Sequence, residues 1–167
     1  LPLHIVPLPS PCPNSVYEER MRDAVTTARW RGVSHVAFGD LFLEDVRGYR
    51  ERNLAGTGVE PLFPIWCSSD ATPTLAQDMV KAGARAVITC VDPRQLSPSF
   101  LGREFDAQLL NDLPSFVDPC AERGEFHTLC YAGPAFRSPL RVALGDTVER
   151  EGFYFVDVTR ETAGARQ

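Results

Sequence analysis

The stretch V-S-H-V-A-F-G-D, residues 33–40, is a short apolar segment that ends in a glycine and a carboxylate. Apolar runs of this length, bounded by turn residues, are typical of buried strands. Similar runs occupy residues 62–66 and 86–91, and another at residues 3–8 precedes a proline-rich loop. We therefore predict four strands before residue 94.

Helical patterns separate these predicted strands. Apolar residues recur at helical spacing over residues 15–31, after a Ser-x-x-Glu capping box, and helices are also predicted for residues 43–54 and 72–81. One helix between successive strands indicates right-handed βαβ units and a parallel sheet. The predicted fold class is α/β, with a doubly wound parallel sheet over residues 1–94.

The pattern changes after Pro93. Residues 102–113 are predicted to be helical, whereas residues 126–131, 140–144 and 153–158 alternate or run apolar between turn residues. These features predict a small α+β domain over residues 95–158. Residues 159–167 are expected to form a flexible tail.

Composition excludes several classes of protein. Hydrophobic residues make up 44% of the chain, which is enough for a core, and no apolar run approaches the roughly 20 residues that cross a membrane. The formal charge is −5, and the 17 basic residues, Lys81 among them, are scattered. Nonspecific nucleic-acid binding needs a basic surface. We expect a cytoplasmic protein with no nucleic-acid or membrane partner.

The positions of the cysteines and of the single lysine exclude further kinds of site. The 5 cysteines are far apart and include no C-x-x-C pair, so neither a disulfide framework nor a zinc site is predicted. Lys81, the single lysine, lies in K-A-G-A, which excludes a G-x-x-x-x-G-K-[ST] phosphate loop. The first predicted strand also has no preceding helix. We expect that an N-terminal unit with a phosphate loop is missing.

One candidate ligand site lies where the predicted parallel strands end. Ligands bind at the carboxyl ends of such strands, and Gly39, Asp40, Glu44 and Arg47 follow one of them. The carboxylates can hold Mg²⁺ or a ribose, and the arginine a phosphate. Alternatively, Asp40 caps the next helix and the others form its solvated first turns. Trp66 can stack on a purine or belong to the core.

A second candidate site lies in A-E-R-G-E-F-H-T, residues 121–128. Glu122 and Glu125, followed by His127 on a predicted strand, can bind a cation or an amine and move protons. Because side chains alternate along a strand, we expect Glu125 and His127 on the same face. The alternative is a surface hairpin without chemistry.

Five ordered strings resemble the diphthine–ammonia ligase-like family, and their spacing agrees with it over residues 3–158. The strings are H-V-A-F-G-D-L-F-L-E-D-V-R at 35–47, L-F-P-I-W at 62–66, F-L-G-R-E-F-D at 100–106, E-R-G-E-F-H-T at 122–128 and G-P-A-F at 133–136. The resemblance implies a Rossmann-like domain of the adenine nucleotide alpha-hydrolase type, found in PP-loop ATP pyrophosphatases. Its first unit would be missing, and a family-specific α+β domain would follow.

The resemblance also implies an activity. ATP with Mg²⁺ would adenylate a carboxylate acceptor, which can be carried on a protein, and ammonia would then form the amide. In the best-known members, the acceptor is the diphthine of a translation elongation factor. The implied catalytic residues are Glu122, Glu125 and His127. The implied nucleotide-binding residues are Gly39, Asp40, Glu44, Arg47, Trp66 and Arg103.

The sequence departs from the family pattern in several places. The S-G-G-x-D-S phosphate loop is absent from the sequence, and Arg123 replaces the first glycine of E-G-G-E. His127 stands where these ligases often have glutamate, which indicates a bacterial-type branch. A second hypothesis therefore stays open: a noncatalytic nucleotide-sensing or protein-interaction module of the same fold.

Overall fold

The computed structural model of the protein describes residues 2–161. The chain forms two compact units, Leu1–Trp66 and Cys67–Gln167. The first unit has a small parallel sheet and the second an antiparallel sheet, so the fold is mixed α/β. Within the described residues, no helix combines the length and apolar character needed to span a bilayer.

The first unit contains helix α1 (Asn14–Trp30), strand β1 (His35–Ala37), helix α2 (Glu44–Leu54) and strand β2 (Glu60–Leu62). The two strands pair in parallel, with His35 opposite Glu60 and Ala37 opposite Leu62. Helix α2 connects them, as expected for a βαβ unit. The predicted strand–helix–strand order is therefore confirmed for β1, α2 and β2.

Helix α1 ends where the sequence predicts. Gly32 has a φ of 86°, and the N–H of Val33 donates to the carbonyl of Ala28 at 3.1 Å. A left-handed glycine with this backward bond is a common helix end. The predicted capping box does not form: Pro13 is the N-cap, and Asn14 donates to the Glu18 side chain at 2.8 Å.

Two strand predictions in the first unit are wrong. Residues 3–8 form no strand, and Leu3 and Ile5 are 84% and 75% exposed. Pro7 in this segment and Pro9 just after it have no backbone N–H to donate to a ladder. The second error is the position of β2, which was predicted at 62–66. The strand lies earlier, at Glu60–Leu62, and it includes Pro61, which is tolerated because β2 is an edge strand of a two-stranded sheet.

The second unit contains helices α3 (Thr72–Lys81) and α4 (Ala107–Asp112) and a short 3-10 helix (Pro98–Phe100). Its strands are β3 (Arg85–Val91), β4 (Phe126–Ala132), β5 (Val142–Arg150) and β6 (Phe153–Arg160). They form a sheet in the order β4-β3-β6-β5, and each pair is antiparallel. The predicted positions of α3 and β3 agree closely with the structure.

The predicted partners of β3 are wrong. We expected β3 to complete a doubly wound parallel sheet over residues 1–94, but it pairs antiparallel with β4 and β6. Val87, Ile88 and Val91 are buried. Burial on both faces indicates a central strand but does not give its direction. Because β3 pairs with later strands, the division falls after Trp66 and not at residue 94.

Residues 102–105, just before α4, were predicted to be helical but do not form a helix. Residues 102–105 run beside β3, where the N–H of Gly102 donates to Ile88 and the N–H of Phe105 donates to Ala86. Helix α4 begins after Asp106, whose carboxylate accepts the N–H of Leu109 at 2.8 Å. Gly102 has a φ of 74°, which a regular helix cannot include.

The main core of the second unit lies between β3, β4 and α4. Its buried members are Ile88, Val91, Leu96, Leu109, Val117 and Phe126. At the other end of the sheet, Thr159 and Arg160 pair with Ala143 and Val142, so β6 extends into the segment expected as a tail. The remaining tail prediction, for residues 162–167, lies outside the described residues.

Candidate functional site

Residues 118–125, here named the carboxylate loop, connect the core residue Val117 to β4. Two acidic side chains in this loop are buried: Asp118 is 5% exposed and Glu125 is 2% exposed. A buried carboxylate is unfavourable unless it is paired or hydrogen-bonded. The hydrogen bonds of these two side chains therefore decide what the loop can do.

Glu125 joins the two ends of the carboxylate loop. Its Oε1 accepts the backbone N–H of Asp118 and its Oε2 accepts that of Arg123, both at 3.1 Å. Its own carbonyl accepts the N–H of Asp92 at 3.0 Å, which fixes the loop to the end of β3. Charge-assisted bonds of this type are stronger than neutral ones. Glu125 is thus a structural link within the loop.

Asp118 organises the middle of the loop. Its Oδ1 accepts the N–H of Cys120 at 3.1 Å, and its Oδ2 accepts the N–H of Glu122 at 2.9 Å. The turn between them is tight, because Ala121 has a φ of 56° and its N–H donates to the Asp118 carbonyl at 2.8 Å. The sequence analysis missed Asp118. The Asp-Pro dipeptide, a turn signal, could have identified it.

Two thiols lie in the same electrostatic environment. Burial raises the pKa of Cys120 to about 12, and the charges of Asp118 and Glu122 and the nearby Cys67 contribute. Burial, followed by Asp118 and Glu122, also raises the pKa of Cys67. The Cys120 thiol contacts the carbonyl of Thr72 at 3.5 Å. Both thiols stay protonated near neutral pH, so neither is an activated nucleophile.

The three predicted catalytic residues occupy different environments. Glu122 is half-buried, Glu125 is buried and His127 is exposed. Strand β4 begins at Phe126, which is itself buried, so Glu125 precedes the alternating pattern. Glu125 and His127, expected on one strand face, thus differ in burial. His127 lies on β4 opposite Cys90.

Asp92, at the end of β3, is buried and fully hydrogen-bonded. Its two oxygens accept Nε and Nη2 of Arg94, each at 2.8 Å, and Gln95 adds a bond at 3.0 Å. The bonds from Arg94 are the main cause that holds the pKa of Asp92 well below its usual range. Buried Asp92 is thus paired at the end of β3 with an exposed arginine.

The predicted ligand residues after β1 are also paired. Asp40 lies 3.3 Å from Nε of Arg50, while Glu44 is exposed in the first turn of α2 and Gly39 is exposed before it. Asp40 does not cap α2: the N-cap is Leu43, and no side chain bonds there. The structure thus gives Asp40 a role that neither interpretation of the sequence included.

Arg47 and Trp66 contact each other directly. The guanidinium of Arg47 lies 4.8 Å from the ring centroids of both Phe63 and Trp66. Its Nε also donates to Glu51 at 2.9 Å. Two predicted nucleotide-binding residues are therefore brought together, with the arginine stacked on the indole.

Arg103, the remaining predicted nucleotide-binding residue, belongs to the second unit. Its Nη2 donates to Asp112 at 2.6 Å, and its guanidinium lies 5.0 Å from the ring centroid of Phe100. These contacts fasten the segment before α4 to the end of that helix. Arg103 therefore has a structural role in this unit.

Proteins bind Mg²⁺ through one or two carboxylates together with substrate phosphates. In residues 2–161, no three His, Cys, Asp or Glu side chains are grouped to hold a metal ion, and Asp40 is already paired with Arg50. An Mg²⁺ ion held by side chains in this part of the chain would therefore need substrate phosphates to complete its ligands.

Comparison with known proteins gives one family. A family model described as "Diphthamide synthase C-terminal domain" matches residues 71–162. The matched segment runs from the start of α3 through β6 and includes the carboxylate loop. No curated protein matches the chain.

Proposed function

We propose, given that this chain belongs to the diphthamide synthase C-terminal domain family, that it acts as an ATP-dependent amide ligase whose carboxylate loop serves ammonia transfer. The membership confirms the family resemblance seen in the sequence, and the bacterial-type branch stays a prediction. The observation that carries the proposal is the pair of buried carboxylates inside the matched segment. They build a rigid acidic loop of the kind that amine chemistry needs.

The proposed reaction has two steps. A carboxylate oxygen of the acceptor attacks the α-phosphorus of ATP, the bond to the bridging oxygen breaks, and pyrophosphate leaves. Ammonia then attacks the carbonyl carbon, the bond to the AMP oxygen breaks, and AMP leaves with that electron pair. Ammonium must lose one proton before the attack, and the new amine must lose another afterwards. A nearby carboxylate is suited to both transfers.

Glu122 is the carboxylate that we assign to ammonium and its protons. Glu122 is the first glutamate of the E-R-G-E motif, which the family resemblance implies to hold ammonium. Glu122 enters the loop's hydrogen bonds through its backbone N–H, and it is half-buried beside the Cys120 thiol. Partial burial strengthens the attraction between a carboxylate and ammonium. Exposed His127 is proposed to pass protons to the solvent.

Adenine is proposed to stack on Trp66. Arg47 now covers that indole, so the ligand must displace its guanidinium. A partly exposed cation–π contact is worth only about 0.5–1 kcal/mol, which makes the displacement inexpensive. The displaced arginine would then meet the phosphates, as the family resemblance implies. Asp40, Glu44 and Gly39 stay proposed nucleotide contacts of the first unit, with Mg²⁺ as the implied metal. Arg103 stays a predicted nucleotide-binding residue of the second unit.

A noncatalytic nucleotide-sensing or protein-interaction module is the second candidate. Three predicted ligand-binding residues are paired within their own units: Asp40 with Arg50, Arg47 with Glu51 and Arg103 with Asp112. Such pairs are also what a purely structural role produces. This candidate predicts ATP binding, or partner binding, without release of AMP.

One assay separates the two candidates. The protein is incubated with MgATP, heavy-nitrogen ammonium chloride and a translation elongation factor that carries diphthine. The ligase predicts one heavy-nitrogen amide on the acceptor for each AMP and pyrophosphate released. ATP binding with neither AMP nor labelled acceptor, in a preparation that is folded, would reject a ligase that acts on diphthine and favour the module.

A further inference from the structure

We infer that Asp118 is a positioning residue of the ammonia site: its buried carboxylate fixes Glu122 through the backbone N–H of Glu122. The inference rests on the proposed function for its chemical meaning. The contact itself is independent of function. Oδ2 of Asp118 accepts that N–H at 2.9 Å, and the Asp118 side chain is only 5% exposed.

The carboxylate of Asp118 serves two donors at once. Oδ1 binds the N–H of Cys120 and Oδ2 binds the N–H of Glu122. A local aspartate turn requires only the first of these bonds. The second bond reaches further along the chain and ends at the residue that we assign to ammonium. Two acceptor oxygens are therefore required at this position, and an amide side chain offers one.

Glu125 also holds the backbone of the carboxylate loop through hydrogen bonds. It accepts the N–H of Asp118 through one oxygen and that of Arg123 through the other. The backbone is thus held on both sides of Glu122, by Asp118 at Glu122 itself and by Glu125 at the next residue. Two left-handed residues, Ala121 and Gly124, turn the chain between these bonds. A turn of this kind keeps its shape only when the surroundings fix it.

Asp106 provides a matched control. Its carboxylate also accepts a backbone N–H, that of Leu109 at 2.8 Å, but it does so at the exposed start of α4. Asparagine is as good as aspartate at such a helix cap, because one acceptor suffices. Asp106→Asn should therefore leave the protein unchanged. Asp118→Asn makes the same chemical change where two acceptors are needed.

The first measurement is amide hydrogen exchange by NMR, without substrates. In the wild type, the N–H groups of Cys120 and Glu122 should exchange slowly. Asp118→Asn should accelerate exchange at Glu122 by about tenfold or more, the effect of losing one charge-assisted hydrogen bond. Asp106→Asn should change neither group. Equal exchange at Glu122 in the wild type and Asp118→Asn would overturn the inference.

The second measurement uses the ligase assay with ammonium chloride varied. Asp118→Asn should raise KM for ammonium about tenfold and leave KM for ATP unchanged, because only the amine site is loosened. A merely structural role would reduce the active fraction and lower kcat without changing KM for ammonium, which would overturn the inference. Asp106→Asn should match the wild type in all three constants.

The two measurements fail in distinguishable ways. A wild type that forms no labelled amide rejects the proposed function, whereas the exchange measurement still tests the bond from Glu122 to Asp118. If Asp118→Asn does not fold, the exchange rate of the Glu122 N–H in the wild type tests the inference instead. A Glu122 N–H that exchanges at the rate of an unstructured peptide overturns the inference, and slow exchange supports it.

Discussion

The carboxylate of Glu125 accepts the backbone N–H of Asp118 at 3.1 Å, and the two side chains are 2% and 5% exposed. This bond closes the carboxylate loop across its whole length. Glu125, the second glutamate of the E-R-G-E motif, therefore has a structural role within the loop. The roles of Glu122 and Glu125 are therefore expected to separate under mutation.

Glu125→Gln is predicted to destabilise the protein. Glutamine supplies one acceptor, so its NH₂ group faces a buried backbone N–H of Asp118 or Arg123. Losing a charge-assisted bond and leaving a buried donor unpaired costs about 2–3 kcal/mol. Urea denaturation of the variant and of Glu151→Gln, an exposed change at the turn between β5 and β6, measures this. Equal free energies of unfolding would contradict the internal role of Glu125.

Cys120 is predicted to make stability fall at alkaline pH. Its pKa is raised from 9.0 to about 12 in the folded state. Between these values the unfolded thiol ionises and the folded one does not, so the unfolded state binds fewer protons and stability decreases as pH rises. Below 9.0 the contribution is fully present.

Denaturant titrations of the wild type and Cys120→Ala across this pH range test the assignment. The slope of unfolding free energy against pH should be smaller in the variant. A remaining slope is expected, because burial also raises the pKa values of Cys67, Cys90 and Tyr131. Identical slopes would show that Cys120 is not the thiol responsible.

Leu109→Ala is predicted to damage the core of the second unit. Leu109 is completely buried against β3 and β4 residues, and removing such a side chain costs about 2–5 kcal/mol. Leu140→Ala, at a side chain that is 46% exposed, is the control and should cost far less. The melting temperatures of both variants are compared. A small loss at Leu109 would mean that this core is packed differently.

Arg47→Ala is predicted to uncover Trp66. The guanidinium lies 4.8 Å from the indole, so its removal should increase acrylamide quenching of the Trp66 fluorescence. The other tryptophan, Trp30, is 87% exposed and is replaced by phenylalanine in all samples. Arg52→Ala, in the last turn of α2, is the control. Unchanged quenching after Arg47→Ala would contradict the stacking of Arg47 on Trp66.

Local patterns predicted the helices and the buried strand better than the sheets. The apolar spacing of α1, the Thr-Pro start and glycine end of α3, and the β-branched run of β3 depend on nearby residues, and all three elements were located correctly. Which strands pair depends on distant residues, and here the antiparallel partners of β3 come from beyond residue 125. Residues 3–8 have a strand-like composition but no ladder.

The candidate site, too, could be predicted only in part from local sequence patterns. The sequence selected Glu122 and Glu125 as a pair, because two nearby carboxylates suggest proton transfer. Their difference arises from burial and from backbone donors at Asp118 and Arg123, which no spacing rule contains. Asp118 was missed for the same reason: its importance depends on the fold of the loop around it.

In the proposed reaction, Glu122 accepts the protons of ammonia on a loop that its acidic neighbours hold in place. The most direct measurement compares the initial rate of heavy-nitrogen amide formation in the wild type, Glu122→Gln and Glu151→Gln. Equal melting temperatures of the three proteins show that the substitutions have not changed stability. The account predicts that Glu122→Gln lowers the rate by about 10²-fold or more, a typical effect of removing a general base, while Glu151→Gln retains the wild-type rate. A Glu122→Gln protein that forms the amide at the wild-type rate would contradict it.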